Sequence, residues 1–153
     1  MNHWKLKKEK MKEMAIERTL AIIKPNAMKE DVKNEVIHLL LKSGLRIHVA
    51  KEVHLTLQQA MKFYEEHKEK PFFQSMTQFM SSAPVYVMCL EGEKAITLAR
   101  NVMGATDPAQ AQEGTIRRRF GDSIEANAIH GSDSPSAASR EISYFFSRME
   151  YSE

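Results

Sequence analysis

The sequence predicts an α+β domain in which helices pack on one sheet. Three observations carry that prediction. Some segments repeat apolar residues at strand spacing and others at helical spacing, the two kinds interleave along the chain, and several connections are short enough for antiparallel neighbours. At 153 residues, 42% hydrophobic and 27% charged, the chain is long enough to bury one core. No run approaches the ~20 apolar residues of a membrane helix, so no membrane partner is expected.

The elements follow in order. "RTLAIIKP" (Arg18 to Pro25) is β-branched and apolar, and Pro25 ends it by removing a ladder donor. "DVKNEVIHLLLKSG" sets Val32, Val36, Leu39 and Leu40 at helical spacing before a Gly44 stop. Leu45, Ile47, Val49, Val53 and Leu55 alternate as a strand with one wet face. Thr56 and Gln59 form a capping-box pattern at the start of a second helix. "PFFQSMTQFM" reads as a turn and short helix with Met76, Phe79 and Met80 inward, and "VYVMCL" as a buried strand. "EKAITLARNVMG" is a helix closed by Gly104. The small-residue loop "ATDPAQAQEG" runs to "TIRRRF", then a short strand "NAIH", then "SPSAASREISYFF", helical from a serine cap and Pro135. His38, His48, His54 and His67 fall on polar positions and read as solvated.

The formal net charge of +2 is unevenly placed. Met1 to Glu13 holds five lysines against two glutamates, a local +3, and the remainder carries −1. The body is therefore neutral, and a nucleic-acid partner is not expected. Residues 1–13, polar and lysine-rich, read as a disordered or frayed helical tail, and Leu6, Met11 and Met14 make too poor an apolar face for a membrane-surface anchor. The folded domain is expected over 14–153. The N-terminus lacks the apolar core of a secretory signal. The single cysteine, Cys89, reads as a small buried hydrophobe; a disulfide within the chain and a cysteine zinc cluster are excluded, and a cytoplasmic location fits.

The chemistry starts from Lys24, Arg100 and Arg117, each in or beside a turn, with Thr106 between the two arginines. Three cations and a hydroxyl suit a polyphosphate, since Arg binds phosphate through a planar fork and Lys supplies a point charge. Surface cations are usually only solvated, so this set alone is weakly specific. His130 in "NAIHGSDSPS" changes the weighting. An unperturbed imidazole titrates near ~6.5, so at neutral pH one ring nitrogen offers a lone pair that can attack phosphorus. Attack gives a phosphohistidine and splits one transfer into two. The other ring nitrogen then needs an acceptor, and Glu141, eleven residues on, is a natural one.

"KPN", "KPFF", "SSAPV", "MGATDPAQAQEGTIR" and above all "NAIHGSDS" closely resemble nucleoside diphosphate kinases, and the resemblance runs from Glu17 to about Met149. It implies a ferredoxin-like βαββαβ core with an antiparallel four-stranded sheet and additional helices. It implies ping-pong exchange of the terminal phosphate between ATP or other nucleoside triphosphates and nucleoside diphosphates, with broad base specificity, serving the NTP and dNTP pools. His130 matches the phosphorylated histidine, and Glu141, bonded to Ser132, matches the carboxylate that orients it. Lys24, Arg100, Thr106 and Arg117 match the phosphate-holding residues. Lys24 also matches a contact to the sugar 3′-hydroxyl and Asn127 the other sugar contact. Phe72 matches the aromatic on which the base stacks and Tyr64 the tyrosine beside the histidine. Mg2+ is implied on the nucleotide's own phosphates with little protein ligation, so no metal-ligating residue is expected. Family members are tetramers or hexamers; the chain ends soon after "FFSRMEYSE", and a homotetramer is favoured.

Structural roles remain open to Phe72, as a cap on the core beside Phe73, and to Tyr64, as part of its helix's apolar stripe. Four positions depart from the family pattern: Asn26 for the usual Asp, Ala83 for Gly, Asp107 for Asn, and Arg119 for an acidic residue. Asn26 is expected to weaken a local bond by about 1 kcal/mol. Ala83 is expected to cost as much wherever positive φ is required. Two rival classes stand beside the kinase reading: a non-catalytic relative that kept the fold, and a nucleic-acid binder using the lysine tail and "IRRR".

Overall fold

A computed structural model describes residues 2–151, with the side chains of residues 10–14 and 151 outside the description. Residues 1, 152 and 153, the outer ends of the expected tail and domain, lie outside the described residues. The elements are α1 (His3–Met14), β1 (Ile16–Ile23), α2 (Glu30–Lys42), β2 (Arg46–Val53), α3 (Leu57–Phe63), α4 (Phe73–Ser81), β3 (Val85–Glu93), α5 (Ala95–Met103), α6 (Ile116–Phe120), β4 (Ile129–Gly131), α7 (Pro135–Phe145) and α8 (Arg148–Tyr151). Single 3-10 turns lie at Pro25–Ala27, Glu65–His67 and Pro108–Gln110.

The sheet runs in the order β2-β3-β1-β4, and all three pairings are antiparallel. This is the α+β class read from the sequence. β1 is central because both of its faces are covered. Leu20 and Ile22 point to the layer of α3, α4 and α7, where they meet Phe63, Tyr64, Met80, Ile142 and Phe146. Ala21 and Ile23 point to the layer of α2, α5 and α6, where they meet Val36, Leu40, Ala99, Met103 and Ile116. The period of two along a strand makes this division, so a strand buried on both sides is apolar throughout. α3 and α4 form an insertion between β2 and β3.

Local chemistry sets the element ends. Gln59 N donates to Thr56 Oγ1 at 3.1 Å, and Thr56 N donates to Gln59 Oε1 at 2.9 Å, completing the capping box. Ser134 caps α7 by accepting from Ala137 N at 3.1 Å, with Pro135 at the first helical position. Gly104 takes φ +88 at the end of α5. A Cβ there would lie 2.5 Å from Thr115 Oγ1, so close approach as well as the turn requires glycine.

Several readings are corrected or refined. Of the two forms expected for the basic tail, the structure has the helical one, from His3 to Met14, with Trp4 and Leu6 exposed. "TIRRRF" forms a short helix, capped by Thr115. His48 is not simply solvated, since its Nδ1 lies 3.7 Å from Glu91 Oε2 with the side chain 14% exposed. His54 Nε2 reaches Ser81 O at 3.0 Å. Ala83 does not have positive φ, so no strain attaches to it. Cys89 is buried as expected, and burial pushes its thiol up to about 11.

Candidate active site

β4 is three residues long, and everything around it fixes one imidazole. The chain enters through Ala128, fully buried at φ +77, a conformation that costs a residue with a Cβ about 1–2 kcal/mol. Its carbonyl accepts from Lys24 N at 2.8 Å. His130 pairs with Ile22 of β1. Gly131 follows against α5, where a Cβ would lie 2.6 Å from Met103 Sδ. Ser132 N donates to Leu20 O at 3.0 Å, and Ser132 Oγ donates to Glu141 Oε1 at 2.9 Å. The small residues after His130 thus serve close packing, a buried hydroxyl and a helix cap.

The His130 ring is held on three sides. Its Nε2 lies 2.7 Å from Glu141 Oε1. Phe63 and Tyr64 stand edge-on to it, at centroid distances of 5.4 and 5.9 Å. Burial opposes ionisation of Glu141, but the hydrogen bond and charge of His130, then Ser132 and Arg140, outweigh it and hold the carboxyl below its ordinary value. Arg140 reaches Glu141 Oε2 at 3.5 Å and grips Glu66 through both guanidinium nitrogens, at 3.1 and 2.6 Å. Burial, and secondly the Glu141 charge, push the Tyr64 phenol up. Tyr64 belongs to the core cluster while its hydroxyl has no partner among the described residues.

Cations approach from the other side. Arg117 is 5% exposed; it donates to Gly104 O and to Ile129 O, both at 2.9 Å. Burial first, and then Arg100, bring it down to about 10, so it stays charged at neutral pH. Arg100 donates to the carbonyl of Gly131, the residue after His130, at 3.1 Å. Lys24 is buried and donates from Nζ to Glu125 O at 3.1 Å. Burial, with help from Arg117, lowers it to about 8 against the opposing pull of Glu125. Asn127 is buried and donates from Nδ2 to the Thr106 carbonyl at 2.9 Å, leaving Oδ1 without a partner among the described residues.

These groups surround one cleft of about 520 Å³. Lys24, Tyr64, Phe72, Arg100, Thr106, Arg117, Asn127, His130 and Glu141 all line it, while Ser132 sits behind Glu141. Phe72 is 47% exposed at its rim, so it does not cap the core. Sequence reasoning missed Ile124, 60% exposed in a polar loop, and His67, whose ring lies 6.0 Å from that of Phe72. An exposed large apolar residue was the one signal for Ile124. Glu66 and Asp133 also border the cleft.

Of the departures, Asp107 caps the Pro108 turn by accepting from Ala109 N at 3.0 Å, work an asparagine oxygen would do equally. Arg119 pairs with Glu35 at 3.1 Å and lies over the Phe120 ring, outside the cleft lining. Asn26 is engaged as a donor. Its Nδ2 donates to Ala126 O at 2.8 Å and Asp122 Oδ2 at 2.9 Å, with Phe120 O at 3.4 Å.

Residues 17–151, the span that holds every one of these groups, match the family profile described as nucleoside diphosphate kinase. The chain belongs to that family. The nucleoside diphosphate kinase of Paracoccus denitrificans is 56% identical over 137 residues, covering 90% of this chain and 98% of that protein. That of Bdellovibrio bacteriovorus is 49% identical over 137 residues, with 90% and 97% covered. Among solved structures, the Aquifex aeolicus nucleoside diphosphate kinase superposes with a TM-score of 0.86 at 41% identity, over 90% of this chain and 99% of that one. A halophilic nucleoside diphosphate kinase from Halobacterium salinarum, in complex with CDP, gives 0.83 at 37% identity, over 88% and 90%. The activity of this family member is that of a nucleoside diphosphate kinase, and it is a nucleotide-binding enzyme. Among the described residues no helix is long and apolar enough to cross a membrane.

Proposed function

We propose that the terminal phosphate moves from a nucleoside triphosphate to a nucleoside diphosphate in two half-reactions, with His130 carrying it between them. The contact between Glu141 Oε1 and His130 Nε2 supports this most. An ionised carboxylate only accepts, so Nε2 carries the proton and the neutral ring keeps its lone pair on Nδ1. That pair forms the bond to the γ-phosphorus while the bond from phosphorus to the β–γ bridging oxygen breaks. The diphosphate departs with the electrons of that bond. The second half-reaction reverses these events on another diphosphate. Glu141 then opposes the positive charge that the phosphorylated ring acquires.

Lys24, Arg100, Arg117 and the Thr106 hydroxyl are read as the grip on the phosphates. The buried setting of Arg117 and Lys24 supports this, because oriented cations in a dry site need no reorganisation as charge shifts. Lys24 and Asn127 are assigned to the sugar, Phe72 to the base, and Tyr64 and Ser132 to support of His130 and Glu141. A base that stacks on Phe72 with no reader of its edge accounts for broad specificity.

A kinase of this class works with a divalent metal, and Mg2+ carried mainly on the nucleotide's phosphates is part of the proposal. When bound, it would neutralise phosphate charge; Glu66 and Asp133 on the cleft wall would hold its water shell. A cytoplasmic homo-oligomer, with a tetramer favoured, completes the reading; light scattering that gives a stable 17.5 kDa monomer would overturn it.

The test is to incubate the protein with γ-labelled ATP, isolate it, and chase with GDP. Label on the protein that is lost in acid, kept in alkali and passed to GDP is the expected result. Rapid exchange with no label on the protein would refute the two-step route.

A further inference from the structure

We propose that Asn26 is a positioning residue for nucleotide capture, its carboxamide latching the 122–126 loop so that the loop in turn holds Lys24 and Ile124 in the cleft wall. The proposal rests on the cleft being the nucleotide site.

The loop closes on itself at one carbonyl. Ala126 O accepts from Asp122 N at 2.8 Å and from Ser123 N at 3.4 Å. Asn26 Nδ2 adds a bond at 2.8 Å to that same oxygen, and a second at 2.9 Å to the Asp122 carboxylate. Asn26 stands in the 3-10 turn directly after β1, so it ties the loop to the end of the central strand. The crest of the loop carries Ile124 and Glu125, both on the cleft wall. Glu125 offers the carbonyl on which the Lys24 ammonium rests at 3.1 Å. Lys24 and Asn26 therefore grip one loop from two positions of one turn, and displacing the loop moves the resting place of the cation.

The orientation of the amide is settled by its surroundings. Nδ2 faces three oxygens, of Phe120, Asp122 and Ala126, while Oδ1 is buried without a partner among the described residues. The flipped amide would set an oxygen against three oxygens. An aspartate at position 26 would do the same and bring a second carboxylate against Asp122. Asn26 and Asp122 thus form a matched pair, with the donor on one side and the charge on the other. Of the other charged groups around the loop, Lys24 rests on the Glu125 carbonyl and feels the Glu125 carboxylate, and Arg119 pairs with Glu35.

The experiment follows single-turnover phosphorylation of the protein by ATP, together with thermal unfolding, for the wild type, Asn26→Asp and the exchanged pair Asn26→Asp/Asp122→Asn. In Asn26→Asp the half-saturating ATP concentration should rise about tenfold near pH 8, with the limiting rate within about threefold of wild type. As a ratio to wild type, the deficit should shrink toward pH 5.5, because a proton shared by the two carboxylates restores a donor. The exchanged pair should recover a large part of the ATP affinity at pH 8. Wild-type affinity in Asn26→Asp at every pH would overturn the proposal. So would a lowered melting temperature with an affinity loss that neither low pH nor the exchange repairs, since that marks a merely structural residue. Should Asn26→Asp fail to fold, the exchanged pair decides the matter, with wild-type-like affinity expected and a tenfold loss overturning it. Failure of the wild type to take up label at all would instead refute the phosphohistidine reading.

Discussion

Glu141 places one carboxylate oxygen, Oε1, at once 2.7 Å from His130 Nε2 and 2.9 Å from Ser132 Oγ. The ring is thereby steered by a group that is itself pinned to the β1 backbone through Ser132. Removing this steering differs from removing the nucleophile. Glu141→Ala should slow turnover about 100-fold and still form labelled protein, since misplacing a reacting atom by about 1 Å has that scale of effect. His130→Ala should lose both label and exchange. Full exchange in His130→Ala, on protein freed of the host's own kinase, contradicts the mechanism.

The pH dependence of capture should report Lys24. Its burial lowers the ammonium to about 8, so the charge is present below that pH and is lost above it. kcat/KM for ATP should therefore fall on the alkaline side from about pH 8, whereas kcat should hold further up because bound phosphates favour the charged form. A profile of kcat/KM that stays flat to about pH 10 removes Lys24 from the phosphate grip.

Ala128 tests the strain next to the proposed nucleophile. At φ +77 and with no exposure, the site has neither the backbone freedom nor the room for a branched side chain. Ala128→Val should destabilise the fold by about 2 kcal/mol or more, read as a fall in the urea midpoint. An unchanged midpoint means that the turn is not held in this conformation.

The tail offers the opposite expectation. Although α1 is helical, its described side chains are exposed, and the family match begins only at residue 17. Deleting residues 1–13 should leave turnover within about twofold, well below 1 kcal/mol of transition-state stabilisation. A tenfold loss would place the tail in the site or in a subunit contact.

Much of this was legible before any coordinates. The capping box at Thr56, the cap at Ser134 and the turn into His130 are short-range patterns, and each lies where local spacing puts it. The resemblance pointed to the cleft's lining, because nine of the ten residues named from the sequence, all but Ser132, meet in one place. What escaped was long-range polar partnership. "IRRR" offers three consecutive arginines, and nothing local says that Arg117 turns inward to the Gly104 and Ile129 carbonyls while Arg119 turns out to Glu35. Asn26 looked like a lost charge for the same reason, as Asp122, nearly a hundred residues away, supplies the charge instead.

Gly131 carries a further meaning. Its missing side chain lets Met103 close on the strand, and its carbonyl takes a hydrogen bond from Arg100 of the same helix. In the proposed mechanism a single helix therefore gauges the separation between the Arg100 guanidinium and the His130 ring, as a jig sets two drill holes. The Phe72 platform is mounted elsewhere, on the hairpin of α3 and α4, outside the strands and the gauge helix. If Phe72 carries the base as proposed, sequence change in that hairpin retunes which bases are welcomed while the distance over which phosphorus travels stays as it was.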